Sequence, residues 1–395
     1  MKNRKQFCLT CLFLFAVILS ACANEPAATS TSFAGTLMLA NGFECPMPEF
    51  PAEITSTELN IFVWTEYISR DMRECFELVY GIKVNQQQYS STDKMLAKLS
   101  EDDEEYDLVL PKDYAVPSMV RQGLLQELDH SKLPLLKNMD QGYLDFYFDP
   151  GNKHTVPYLT GTDAIIVNTN VVTNIPLSWA DLWEPAYADR LVLLDEARTI
   201  IGMTLLSLGY DVNTTDPAQL AEAEQQLQKL IPSVLVFDSD SPSNMLIQEQ
   251  AYLGVTWTGE AFIAQQSNPA IRYVFPEEGV IIWQDNWAIL ADAPHVDAAY
   301  AWLNYTMQAN VAWLTIRDWP YTTPNKAALD FARENPMKIL DRHGNETTLS
   351  VIYEEYRSSP ITMVPANVLA SGHRITDVGE AALLYQQIWA RLRGG

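Results

Sequence analysis

Histidine is scarce in this chain: five residues in 395, at 130, 154, 295, 343 and 373, with no two at metal-ligand spacing. That leaves no His-x-x-x-His zinc site and no signature of metal-assisted hydrolysis. Glycine is also sparse, at 17 residues. No phosphate-cradling Gly-rich loop and no Gly-x-Ser-x-Gly nucleophile elbow can be built from it. Basic residues number 26 against 50 acidic ones, a balance that repels nucleic acid and anionic lipid and favours cationic partners. Long apolar runs are missing everywhere except at the N-terminus.

That N-terminal run carries an export address. Lys2, Arg4 and Lys5 precede an apolar stretch from about Cys8 to Leu19 and then Leu19-Ser20-Ala21-Cys22. Charged head, apolar middle and small-residue end make a secretory signal over 1–21. The run falls short of the ~20 residues that a membrane span needs. Leu-Ser-Ala-Cys also resembles the lipobox of bacterial lipoproteins, which implies cleavage before Cys22 and acylation of its thiol. Without 1–21 the chain retains 23 basic and 50 acidic residues, a net charge near −27. Residues 22–54 then read as a lipidated tether and N-terminal extension, because the Ala, Thr and Ser that follow Cys22 cannot bury a core. Ordered structure is expected from about Leu59.

Cysteine usage follows from the same address. Cys8 and Cys11 leave with the signal and Cys22 takes lipid, so Cys45 and Cys75 remain in an oxidising compartment. They are expected to form a disulfide that pins the extension to the first helix.

Strand-like and helix-like runs alternate along the mature chain. A strand at 59–64, a helix at about 69–80, a strand at 82–89, a helix at 92–100 and the strand Tyr106–Leu110 follow βαβ grammar, which predicts a parallel sheet. A second set starts at the strand 164–168, with helices near 178–183, 198–208 and 217–230, the last capped by Asp216 ahead of Pro217. About 330 residues are enough for two lobes and too many for one ordinary core. The acidic run Glu101–Glu105 is a solvated loop, and Asp238-Ser239-Asp240-Ser241 is a turn, lacking the Gly and distant Glu of a calcium loop.

What the chain does have is aromatic residues beside carboxylates: Trp64-Thr65-Glu66-Tyr67, Trp257-Thr258-Gly259-Glu260 and Trp283-Gln284-Asp285. Any one such pair is ordinary core packing in a chain with ten Trp and eighteen Tyr. Three of them, each next to a strand-like run, fall where open α/β sheets bind ligands, beyond strand ends. A ring face attracts a desolvated cation by roughly 0.5–2 kcal/mol, and a charge-assisted hydrogen bond adds about 1.5–3 kcal/mol. The combination suits an organic ammonium ion.

These segments, with Tyr106-Asp107-Leu108-Val109, Ser178-Trp179-Ala180-Asp181-Leu182-Trp183, Phe237-Asp238-Ser239-Asp240 and Tyr321-Thr322-Thr323-Pro324-Asn325, occur in one order that resembles the polyamine-binding proteins of ABC importers. The resemblance runs from about Leu59 to the C-terminus. It implies an α/β, two-lobed type II periplasmic-binding fold with mixed, mostly parallel sheets and the ligand between lobes. Residues 55–161 with 284–331 would form one lobe, and 162–283 with 332–395 the other. It further implies a monomer that carries spermidine or putrescine to a permease, with no catalysis, cofactor, metal or nucleic acid.

Carried over one position at a time, Trp64, Tyr67, Tyr114, Trp257, Trp283 and Tyr321 match pocket-walling aromatics. Thr65 and Glu66 match the groups that hold one terminal amine, and Asp285 matches the central acid. Glu260 matches an acid of putrescine-type members, and Glu196 an acid beside the terminal amine in spermidine binders. Three positions depart from the pattern. Thr199 stands where a Glu is usual, Ile375 replaces a polar residue, and Lys112 stands where a Ser is usual. A lysine there opposes a cationic ligand unless its stem leads to solvent. Other organic cations such as agmatine or an amino-alcohol suit the same chemistry. Trp platforms with paired acids also suit a secreted carbohydrate-active enzyme, and a purely structural lipoprotein would bind no small ligand.

Overall fold

The apolar, β-rich run at 59–64 becomes the first strand of a large mixed sheet. In chain order the strands are β1 (Glu58–Trp64), β2 (Lys83–Tyr89), β3 (Leu108–Val109), β4 (Thr155–Asn168), β5 (Leu191–Leu193) and β6 (Val234–Phe237), followed by β7 (Leu253–Trp257), β8 (Ile271–Val274), β9 (Ile281–Ile289), β10 (Lys338–Leu340), β11 (Glu346–Thr348) and β12 (His373–Arg374). The computed structural model describes residues 36–50, 53–101 and 105–394. Residues 1–35, with the expected signal sequence, Cys22 and the start of the expected tether, and the acids at 102–104 lie outside the described residues.

The sheet order is β2-β1-β3-β9-β4-β7-β5-β6, with β12 also beside β9 and β8 also beside β4, while β10 and β11 form a separate hairpin-like pair. The predicted parallel pairings occur at the two ends, β2-β1-β3 and β7-β5-β6. The middle is antiparallel, through β3-β9, β9-β4 and β4-β7. The run at 164–168 and the strand-like run next to Trp283 are therefore pieces of longer elements. All fourteen residues of β4 and all nine of β9 are buried, and they join the two parallel ends of the sheet. Trp283 and Asp285 consequently lie inside a strand and not beyond its end, a correction to the sequence reading. Its cause is that polar Gln284 and Asn286 interrupt the apolar run yet bond to each other within the strand, Gln284 Nε2 donating to Asn286 Oδ1 at 2.8 Å and Asn286 Nδ2 to Gln284 O at 2.9 Å.

Helix ends follow local chemistry. Arg70–Tyr80 is capped by Ser69, which accepts from Met72 N, and ends at Gly81 with φ 67°, whose N–H reaches Glu77 O. Pro217–Leu230 starts after Asp216, which accepts from Ala218 N. The segment predicted as a helix at 178–183 is a short 3₁₀ turn, Trp179–Trp183. Pro185 holds Glu184 in the extended region and stops it from continuing.

Order begins earlier than Leu59. Leu37–Cys45 form a tight reversal, Cys45 N donating to Leu37 O at 2.8 Å. Tyr305 Oη and Gln308 Nε2 donate to the carbonyls of Pro46 and Met47. A disulfide joins buried Cys45 to buried Cys75 on the first helix, so this segment is held by a cross-link and hydrogen bonds that its composition does not reveal. Replacing both cysteines by serine is expected to remove about 3–4 kcal/mol of stability, the chain-entropy value for a loop of this length. A thermal midpoint unchanged in the double variant would show that the bridge does not stabilise the mature protein.

Candidate functional site

The site forms where the two central strands meet the end of β1. Trp64 closes β1, and its Nε1 donates to Leu110 O at 3.0 Å, which fixes the ring. It lies 6.4 Å from Trp257, the last residue of β7, with the rings at 63°. After Trp64 the chain turns through Glu66, whose φ of 51° is in the left-handed region. This turn returns Tyr67 to the pocket, where Tyr67 Oη donates to Asp285 Oδ2 at 2.7 Å. Tyr321 arrives on a loop held against β4 by paired bonds between Thr160 and Thr322, of 2.9 and 3.1 Å. Its ring packs edge-on against Trp283 at 5.6 Å and tilted against Tyr67 at 5.3 Å. A cavity results, lined by Trp64, Thr65, Tyr67, Lys112, Ser239, Trp257, Trp283, Asp285 and Tyr321.

Two glycines make this packing possible. A Cβ on Gly161 would sit 2.6 Å from the Trp283 ring, and one on Gly259 2.7 Å from the Tyr321 ring. Neither was singled out from the sequence as a site residue. An isolated Gly in the strand pattern around 161 is the signal that such a close approach leaves.

Asp285 is the charge centre. It is 3 % exposed, and its Oδ1 has no hydrogen-bond partner among the described residues. Burial pushes its carboxyl up to about 8, against the pull of the Lys112 ammonium and the Tyr67 hydroxyl. Asp163 on β4 is a second buried acid, pushed up to about 6 by burial, with Lys112 and Thr199 opposing. Thr199 Oγ1 donates to it at 2.7 Å. The position where a Glu was expected thus holds a hydroxyl that serves an acid not picked out in the sequence. The mark Asp163 left was one charge in an otherwise apolar and hydroxyl-bearing run.

The remaining expected residues separate. Glu196 is 2 % exposed and accepts from Thr92 N at 2.6 Å and from Lys112 Nζ at 2.9 Å. Glu260 is buried but outside the cavity wall. It accepts from Ser243, and burial raises its carboxyl, with Glu66 adding to the rise. Glu66 itself is exposed and receives a bond of 3.4 Å from Ser241 Oγ, so it stands at the rim. Tyr114 also lies outside the wall, its ring 5.4 Å from the Arg198 guanidinium. Lys112 does not lead to solvent. Its side chain is 5 % exposed, and its ammonium lies 5.1 Å from the Trp64 ring centroid and 5.6 Å from that of Trp257. The buried carboxylates draw it inward. Burial alone would lower this ammonium, yet Glu196, Asp163 and Asp285 outweigh it and hold the group above its ordinary value. No group of three or more metal-ligating side chains occurs among the described residues.

Residues 72–338 match the family model of bacterial extracellular solute-binding proteins. The chain belongs to that family. It is 37% identical over 340 residues to the spermidine/putrescine-binding periplasmic protein of Escherichia coli K12, covering 85% of this chain and 92% of the relative. It is 34% identical to the spermidine/putrescine-binding periplasmic protein 1 of Haemophilus influenzae, over 92% of this chain and 97% of the relative. Among solved structures, the spermidine/putrescine ABC transporter substrate-binding protein of Streptococcus pneumoniae superposes with a TM-score of 0.67 at 29% identity, covering 86% of this chain and 99% of the other. The fold is thus the two-lobed type II periplasmic-binding architecture. These relatives are solute-binding proteins and not enzymes.

Proposed function

We propose that this protein is an extracytoplasmic solute-binding lipoprotein that captures a polyamine in the cleft and presents it to the permease of an ABC importer. The observation that carries the reading is Asp285, buried among the rings of Tyr67, Trp283 and Tyr321 with one carboxylate oxygen unpartnered. That arrangement is complementary to a desolvated ammonium group, and the relatives are spermidine/putrescine-binding proteins. Trp283 and Tyr321 supply flat surfaces for a methylene chain. Trp64, Thr65 and Trp257 complete the wall, and Glu66 guards the rim. In this reading the chain hinges across β4 and β9, with 55–161 and 284–331 as one lobe and 162–283 and 332–395 as the other. The ligand favours closure because both lobes touch it. Cys22 anchors a monomer to the membrane, and the residues between it and Leu37 set its distance from the permease.

The test is calorimetric titration of the purified protein, freed of carried-over ligand, with putrescine, spermidine, spermine and agmatine. Micromolar or tighter binding of at least one is expected. No heat from any of the four, in a folded sample, would overturn the reading.

A further inference from the structure

The cleft contains an ammonium group of its own. Lys112 Nζ has the three contacts that a bound amine would seek: the Trp64 ring, the Trp257 ring and, at 2.9 Å, Glu196 Oε2. Both partners of the ion pair are buried, at 5 % and 2 % side-chain exposure. Each is also fixed by its own backbone. Lys112 bridges to Asp285 on β9, and Asn286 N donates to Pro111 O at 3.0 Å. Glu196 precedes the helix Ala197–Ser207 and is held by Thr92 N at 2.6 Å.

We propose that Lys112 is a built-in ammonium that fills one cation position of the cleft, so that the chain selects a short α,ω-diamine and rejects a triamine. This rests on the polyamine reading. A ligand ammonium entering between Trp64 and Trp257 meets a like charge in a dry site and finds Glu196 already paired. Asp163 is bonded to Thr199 and faces the same lysine. On the cavity wall itself the acid left is Asp285, with its unpartnered Oδ1; Asp163, whose Oδ1 is also unpartnered, is not part of that wall, and Glu66 stands at the rim with Glu260 behind it. A diamine then sets one ammonium on Asp285 and the other toward the rim acids. A third would have to displace Lys112 from a buried ion pair.

The experiment is titration of wild-type protein and Lys112→Ser with putrescine and spermidine, with Lys112→Ser/Glu196→Gln as the second variant. Wild type is expected to bind putrescine at least tenfold more tightly than spermidine. Lys112→Ser should shift that ratio at least tenfold toward spermidine, because Glu196 is released for the extra ammonium. The double variant, in which position 196 no longer offers a charge, should lose that shift. Spermidine binding by wild type as tight as putrescine binding would overturn the inference and leave the polyamine reading standing. A ratio unmoved by Lys112→Ser would do the same. Absence of any polyamine binding in wild type would overturn both.

Discussion

Asp285→Asn is expected to weaken diamine binding about 100-fold at pH 8, and at the same time to raise the thermal midpoint of the ligand-free protein by several degrees. The loss corresponds to about 2.7 kcal/mol, within the range for a charge-assisted hydrogen bond in a desolvated site. Asn keeps the shape and can still accept from the Tyr67 hydroxyl, which bonds Asp285 Oδ2 at 2.7 Å. It cannot supply the counter-charge. The gain in stability has the same origin. A carboxyl whose folded-state value is pushed up to about 8 holds its proton more tightly in the folded protein than in the unfolded chain. Its stabilising contribution is complete only below about pH 4 and is lost as pH rises through 8. Removing the acid therefore helps the empty protein most at the alkaline end of that window. Calorimetry and ligand-free melts of the variant measure both. Wild-type affinity in Asp285→Asn would remove Asp285 from the site. Weaker binding accompanied by a lower midpoint would make its role structural.

The sequence showed that aromatics and acids gather, because Trp and Tyr next to Glu and Asp are visible as neighbours along the chain. Seven of the expected residues do wall one cavity or form its charge centre: Trp64, Thr65, Tyr67, Trp257, Trp283, Asp285 and Tyr321. Tyr114, Glu66, Glu196 and Glu260 were legible as residues but not in their relations. Whether an acid meets a ligand or a lysine depends on contacts between positions such as 112 and 196, 84 residues apart. The direction of Lys112 shows the same limit. A lysine on a cleft loop is normally a snorkelling residue, and only the convergence of Glu196, Asp163 and Asp285 makes the inward path favourable. The two long strands were missed for a related reason. Polar residues within β4 and β9 break the period-two pattern, and they are there because the site is built inside the strands.

Acidification should release the ligand. With Asp285 at about 8, its ionised fraction falls from about one half at pH 8 to about one hundredth at pH 6, so affinity should drop roughly 50-fold across those two units. The groups around this carboxyl do not cancel the effect. Lys112 stays charged throughout, Tyr67 is held neutral by burial and by the neighbouring Asp285, and the ligand's primary amines titrate far above this range. Asp163, at about 6, and buried Asp113, also at about 6 and paired with Arg374, begin to take up protons only at the acid end, where Asp163 makes the fall steeper. Binding near pH 7 must then expel close to one proton per ligand, since the ammonium group replaces the proton on Asp285. Titrations in two buffers of different ionisation enthalpy count that proton, and the same titrations of Asp285→Asn should lose the release near pH 7 and keep only the shallow fall that Asp163 causes toward pH 6. A wild-type affinity constant from pH 8 to pH 6 would mean that the ligand's charge is balanced elsewhere than on Asp285.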